Sequence, residues 1–140
     1  MAEAFDLDGR LEADSHFIAD GPLSQLRLID DMRFPWLVLV PRLPGASEWL
    51  DLDGGAQRLL LAEINQAGQL LRASGACDKL NIGALGNIVR QLHVHVVARL
   101  EGDAAWPGPV WGAGTMQRFG TAAREARLAQ LREKLQSLTP

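Results

Sequence analysis

The sequence predicts an α+β domain built from an antiparallel sheet of about five strands, one long helix and a C-terminal helix. Two features indicate this class: short apolar segments typical of strands lie on both sides of one long helical pattern, and short turns join them. The chain has 140 residues, 47% of them hydrophobic, which is enough to bury one core. We therefore expect residues 1–140 to form one domain, with its core at about 15–105 and a C-terminal loop and helix at 106–140.

Three strands are expected before the long helix. The first covers residues 15–19 and is followed by a Gly-Pro turn, and the second, at residues 26–30, alternates only weakly. Residues 36–40 read Trp-Leu-Val-Leu-Val and are closed by Pro41. A continuous apolar run of this length is typical of a strand buried on both faces.

The long helix is expected to begin after Asp53 and to extend to about residue 71. The Asp53 side chain can cap the helix start, and Gly75 offers a C-terminal stop. Apolar residues recur between them at helical spacing, namely Leu60, Ile64, Ala67 and Leu71.

Two further strands are predicted after this helix. Residues 79–84 and 90–100 have strand character and flank Gly86-Asn87, so a hairpin with a tight turn is expected.

A loop and a final helix complete the chain. Pro-Gly and Gly-rich segments break regular structure around Trp106 and Trp111. Beyond Thr121 an apolar stripe indicates a helix, with Leu128, Leu131, Leu135 and Leu138 as its members.

Composition limits the partners and the location. Lys and Arg number 14 against 17 Asp and Glu, a net charge of −3, so there is no basic field for nucleic acid or for an anionic membrane. Cys77 is the single cysteine, which excludes a disulfide within the chain and a cysteine pair for structural zinc. The first residues lack the basic start and apolar stretch of a signal peptide, and no run reaches membrane-spanning length. We expect a cytoplasmic protein.

The most informative segment is residues 91–97, Gln-Leu-His-Val-His-Val-Val. A β-strand turns successive side chains to opposite faces, so Gln91, His93 and His95 are expected on one face and the apolar residues on the other. A polar group that faces a core without a partner costs about 1–3 kcal/mol. The row therefore needs a partner, a ligand or water, and it indicates a functional site.

This segment resembles the motif of the histidine-triad (HIT) superfamily, in which three histidines occupy alternate positions before two apolar residues. Gln91 stands where the family has its first histidine. The resemblance extends to Gly86-Asn87-Ile88-Val89-Arg90, similar to the family's glycine-led hairpin, and to the buried strand that ends in Pro41-Arg42. Phe34-Pro35-Trp36 before that strand is similar to a group of small bacterial members with glutamine first, related to diadenosine polyphosphate hydrolases.

The resemblance implies hydrolysis or transfer of a nucleotidyl group at an α-phosphate, on substrates such as adenosine phosphoramidates or dinucleoside polyphosphates. His93 is at the position of the nucleophile, which must be a neutral imidazole to donate its lone pair. His95 is at the position that contacts phosphate through a ring N–H. Gln91 cannot carry a proton as an imidazolium does, so an orienting role is expected for it. The resemblance also implies a homodimer and no cofactor.

Further nucleotide contacts are expected from five residues. Gly86 permits close backbone approach, and the amide groups of Asn87 could donate to an anion. Asn81 resembles an amide residue that relatives carry ahead of the nucleophile. Asp30 or Asp31 resembles the acid that accepts hydrogen bonds from ribose. The asparagines are equally explained as turn formers, and the aspartates as ordinary loop carboxylates.

Two other positions depart from the family pattern. Ile88 falls where many relatives have Ser or Thr, and Trp36 where many have a further histidine. A phosphate contact from a hydroxyl at position 88 and a relay through a histidine at position 36 are therefore not expected.

Three alternatives stay open for the histidines. They could be ordinary strand residues, or they could chelate zinc or iron, with His16 or an unplaced carboxylate as a third ligand. The departures from the family pattern also allow a protein that binds a nucleotide without turning it over.

Overall fold

The computed structural model describes residues 4–138. Its helices are α1 (Gly9–Asp14), α2 (Gly54–Ser74) and α3 (Thr121–Leu138), with a short 3-10 helix at Trp49–Asp51, and its strands are β1 (Ser15–Asp20), β2 (Ser24–Ile29), β3 (Trp36–Pro41), β4 (Lys79–Gly83) and β5 (Val94–Arg99). Within the described residues, no helix is long and apolar enough to cross a membrane.

The strands form one antiparallel five-stranded sheet in the order β1-β2-β3-β5-β4. The α+β class with this sheet is therefore confirmed. Strands β3 and β5 lie inside the sheet and every one of their residues is buried, as the apolar run at 36–40 predicted. Strand β4 forms one edge of the sheet.

Helix α2 has the predicted caps. The Asp53 side chain accepts a hydrogen bond from the backbone N–H of Ala56 at 2.8 Å, and Gly75 is the C-cap. The helix ends at Ser74, three residues beyond the predicted end. Its buried face includes Leu60 and Leu70, each of which contributes about 2 kcal/mol through burial of its side chain.

The two faces of the sheet are covered differently. Leu37 of β3 and Val96 of β5 face α2 and α3 and share a core with Leu128 and Leu131 of α3. On the opposite face, the loop between β5 and α3 packs over a smaller cluster that contains Trp36, Val38, Val97 and Val110. Helices α2 and α3 therefore lie on one side of the sheet, and the loop side carries the histidines.

The expected hairpin with a two-residue turn is wrong. Strand β5 begins at Val94, so Gln91 and His93 precede it, and residues 84–93 form a long connection. The pairing of Leu39 with Val94 would, if continued, place residue 92 opposite Pro41, which has no N–H to donate. The N–H of Leu92 donates instead to the carbonyl of Ala46 at 3.0 Å.

Helix α1 was not predicted. Its N-cap is Asp8, whose side chain accepts from the N–H of Arg10 at 2.8 Å. A helix of six residues is too short for its apolar periodicity to be read from the sequence.

Candidate active site

A cavity of about 550 Å³ opens on the loop side of the sheet and contains both motif histidines. This volume suits a small organic ligand. The walls come from α1, the connection between β4 and β5, the central strands and the loop before α3. The lining residues are Arg10, Leu11, Asp14, Ile29, Trp36, Leu85, Gly86, Asn87, Ile88, Val89, His93, His95, Trp111, Gly112 and Met116.

The tautomer of His93 follows from its contact with the backbone. Its Nδ1 lies 2.6 Å from the carbonyl oxygen of Gln91. A carbonyl oxygen only accepts, so Nδ1 carries a proton and donates it. In the neutral ring the lone pair is then on Nε2, the nitrogen suited to attack an electrophile.

His95 is fixed in the opposite sense by Trp36. The indole Nε1–H of Trp36 donates to Nδ1 of His95 at 2.9 Å, and because an indole nitrogen can only donate, this Nδ1 carries no proton. The proton of the neutral ring is therefore on Nε2.

The electrostatic surroundings of His95 favour the same neutral form. Burial, and to a lesser extent the nearby His93, lower the pKa of His95 to about 3. At neutral pH His95 is thus an uncharged ring with one N–H to offer.

The pairing of β3 with β5 explains why Trp36 reaches His95. Val38 lies directly opposite His95, and Trp36, two residues away on the same face, is its diagonal neighbour. The two rings are 5.6 Å apart between centroids. The same face places the rings of His93 and His95 4.9 Å apart.

Trp111 also packs against His95, with 5.5 Å between ring centroids, and its ring lies 6.5 Å from that of Trp36. Gly83, the partner of His95 in β4, makes this possible, because a Cβ there would be 3.1 Å from Cη2 of Trp111. The indole nitrogen of Trp111 is buried and has no hydrogen-bond partner among the described residues. The rings of Trp36 and Trp111 together restrict the position of His95.

The turn predicted to contact phosphate lies at the cavity. Gly86 adopts a positive φ of 74°, and both Gly86 and Asn87 belong to the lining. Ile88, which is 78% exposed, follows them in the lining without offering a hydroxyl.

Charged groups in the lining are few. Asp14 pairs with Arg118, with 2.6 Å between Oδ1 and a guanidinium nitrogen. The Arg10 side chain is exposed, and among residues 4–138 it has no hydrogen-bond or ion-pair partner. Arg10 is thus the single Lys or Arg in the lining.

Two of the predicted site residues lie outside this lining. The side chain of Gln91 bonds to the backbone of Asp6 and Asp8 and does not belong to the lining. Asn81 accepts a hydrogen bond from the guanidinium of the buried Arg99 at 2.9 Å.

Asp30 and Asp31 are also absent from the lining, because their oxygens serve the loop before α3. Asp30 accepts from the side chain of Arg118 at 2.9 Å and from the N–H of Phe119 at 3.0 Å. These contacts outweigh burial and lower its pKa. Asp31 binds Arg33 in a similar way, and its pKa is lowered as well. The structure therefore gives both aspartates a role in holding the loop.

Among the described residues, a metal site at the two histidines lacks a third ligand. Across residues 4–138, no group of three His, Cys, Asp or Glu side chains is arranged to hold a metal ion. His16 lies 3.5 Å from the carboxylate of Asp30, which is outside the lining.

Sequence reasoning missed Trp111 and α1 as walls of the site and gave Trp36 no role. A signal for Trp36 was present, since a buried indole N–H needs an acceptor and this residue begins a fully buried strand. No local pattern pointed to α1.

Comparison with known proteins agrees with this fold. The HIT domain family model matches residues 10–102, and the chain belongs to this family. No curated protein gives a match.

Three solved structures are similar over nearly the whole chain. A histidine triad protein from Bradyrhizobium japonicum is 46% identical, covers 95% of this chain and 99% of its own, and has a TM-score of 0.91. One from Sinorhizobium meliloti is 45% identical, with coverages of 93% and 96% and a TM-score of 0.90. One from Marinobacter aquaeolei is 36% identical, with coverages of 98% and 100% and a TM-score of 0.93.

Proposed function

We propose that this protein binds a nucleotide in the cavity and hydrolyses or transfers its nucleotidyl group through a covalent intermediate on His93. The substrates we expect are adenosine phosphoramidates or dinucleoside polyphosphates. The observation that carries the proposal is the pair of complementary tautomers, with a free lone pair on Nε2 of His93 and an N–H on Nε2 of His95 in one cavity.

In the first step, Nε2 of His93 attacks the α-phosphorus and forms a P–N bond. The bond from phosphorus to the leaving group breaks, and the leaving group departs with the electron pair and takes up a proton from solvent. The ring becomes positively charged, and the hydrogen bond from its Nδ1–H to the Gln91 carbonyl stabilises that charge. The Nε2–H of His95 is available to donate to a phosphoryl oxygen, where negative charge develops.

In the second step, water or another acceptor hydroxyl attacks the same phosphorus. A new P–O bond forms, the P–N bond breaks, and its electron pair returns to Nε2 of His93. The attacking oxygen releases its proton to solvent.

The test is a His93→Ala variant with His16→Ala as its matched control, because His16 is the histidine outside the lining. His93→Ala is expected to lower kcat by roughly four orders of magnitude, while His16→Ala retains activity. A denaturing quench with α-labelled substrate should trap a labelled adduct on the parent and none on His93→Ala. Equal turnover by His93→Ala and the parent would refute the role of His93.

A second function is nucleotide binding without turnover. Ile88 favours it, because this exposed residue brings no hydroxyl to the cavity where many relatives have one. Binding is measurable through the fluorescence of Trp36 and Trp111. Nucleotide binding with neither adduct nor product would establish this second function.

We also propose that the protein is a homodimer formed through the exposed edge of β4. This strand pairs only with β5, and Ile82 on it is 54% exposed. An open edge of this kind invites pairing with a second sheet. Light scattering during gel filtration should report twice the monomer mass, and a monomer at micromolar concentration would contradict the proposal.

A further inference from the structure

The side chain of Gln91 makes two hydrogen bonds to a segment more than 80 positions earlier in the chain. Its Nε2–H donates to the carbonyl of Asp6 and its Oε1 accepts from the N–H of Asp8, each at 2.8 Å. The carboxamide thus satisfies the backbone of alternate residues, as the peptide group of a neighbouring strand would. Both polar atoms of the side chain are used, and Gln91 is not a lining residue of the cavity.

The segment held in this way leads directly into a wall of the cavity. Asp8 caps α1 twice: its side chain accepts from the N–H of Arg10 at 2.8 Å, and its carbonyl accepts from the N–H of Glu12 at 3.0 Å. Arg10 and Leu11 of this helix line the cavity opposite the histidines.

The two ends of α1 are held by different groups. At its C-terminal end, the carbonyl of Asp14 accepts from the N–H of Asp30 at 2.9 Å, and the Asp14 side chain pairs with Arg118. Its first turn is capped by Asp8, and the backbone of Asp8 is held by its hydrogen bond to the Gln91 side chain. Loss of the Gln91 side chain is therefore expected to free the first turn and leave the last one in place.

We propose that Gln91 is a positioning residue that docks residues 6–8, and with them the first turn of α1, as the nucleotide-facing wall of the cavity. This inference rests on the proposed function. It gives the glutamine in the first motif position a role separate from that of the histidines: its backbone carbonyl orients His93, while its side chain builds the wall. Only the wall depends on the side chain, so substitution should affect ligand binding and leave the chemical step intact.

The experiment compares Gln91→Met, which keeps the length of the side chain and removes both polar atoms, with Gln57→Met. Gln57 is a matched control, because its amide also donates to backbone carbonyls, those of Trp49 and Leu52, but it lies outside the lining. Amide hydrogen exchange measured by NMR should become about tenfold faster at Asp8 and Glu12 in Gln91→Met, the change expected for the loss of a net hydrogen bond. The amide of Asp30, which is bonded to the far end of α1, should exchange at the parental rate.

The same variants are then titrated with AMP and assayed for turnover. Gln91→Met should weaken AMP binding and raise KM by about fivefold, because the docked wall is populated only part of the time, with kcat close to the parental value. Gln57→Met should change neither constant. If Gln91→Met fails to fold, Gln91→Glu replaces it, since a carboxylate opposes the carbonyl of Asp6 and keeps the acceptor for Asp8.

Unchanged exchange at Asp8 and Glu12, faster exchange with unchanged AMP affinity, or a fall in kcat with unchanged KM would each overturn the proposal. A different result is expected if the proposed function is wrong: the parent itself would bind no AMP and form no adduct. In that case the exchange rates alone decide whether Gln91 docks the segment.

Discussion

His95 should make the stability of this protein depend on pH between 6.5 and 4.5. The pKa of His95 is about 3 in the folded protein, mainly because the ring is buried, against about 6.5 in an unfolded chain. Between these values the unfolded state binds a proton that the folded state does not. The free energy of unfolding must therefore fall as the pH is lowered through this window.

The size of the effect follows from the two pKa values. Well inside the window each pH unit changes the contribution of His95 by about 1.4 kcal/mol, and at pH 6.5 the unfolded ring is only half protonated, so lowering the pH from 6.5 to 4.5 should remove about 2 kcal/mol. Solvent screening reduces this contribution to the free energy of unfolding only slightly, because His95 is only 7% exposed. The carboxylates of Asp30, Asp31 and Asp103 have lowered pKa values and lose their contributions mainly at lower pH.

The assay is urea unfolding at several pH values between 6.5 and 4.5, on the parent and on His95→Asn. An asparagine does not titrate, and its Oδ1 is close to the position of Nδ1, so the hydrogen bond from Trp36 has an acceptor in the variant. The free energy of unfolding of the parent should fall by about 2 kcal/mol more than that of the variant over this range. Parallel pH profiles for the two proteins would refute the assignment of His95 as a buried neutral ring.

Two further substitutions test the contacts around the site. Trp36→Phe removes the donor to Nδ1 of His95, so the ring should populate both tautomers in nitrogen-15 NMR spectra. The loss of this hydrogen bond, about 1 kcal/mol, should lower kcat by about five- to tenfold. A single Nε2–H tautomer in the variant would contradict this. Asp103→Ala leaves the guanidinium of Arg99, which is 1% exposed, without its carboxylate, and the free energy of unfolding in urea should fall by about 3–5 kcal/mol. Asp20→Ala is the control, since its ion pair is exposed and contributes only about 0–1 kcal/mol, and equal losses from the two aspartate variants would contradict the burial argument.

The sheet and the long helix could be predicted because their signals are local. The apolar run of β3 requires burial on both faces wherever the strand lies, and the Asp53 and Gly75 caps act within one turn of α2. The start of β5 could not be read in the same way. Alternation continues back to residue 91, but a strand also needs a partner, and the partner is missing where Pro41 ends the pairing of β3.

The site shows the same division. The turn at Gly86-Asn87 and the two histidines are neighbours in the chain, and the structure brings them to one cavity. Asp30 and Asp31 were expected there as well, but Asp30 binds Arg118 and Asp31 accepts from the N–H of Gln117, and both partners are more than 80 positions away in the chain. The position of a buried carboxylate is set by its strongest hydrogen-bond donors, and the sequence does not show which donors will be near it.

The sequence by itself determined the class of fold, the family and the two histidines of the site. The alternation of strand side chains, the helix caps and the spacing of the motif all act over a few residues, so they can be read from the sequence. Only the tertiary structure decided which nitrogen of each ring carries the proton, since that depends on a carbonyl next to one ring and on an indole N–H from another strand next to the other. It also decided that the side chain of Gln91 binds the backbone of Asp6 and Asp8, because these partners come from a distant part of the chain. Hydrogen bonding depends on positions in space, and those are set only when the whole chain has packed.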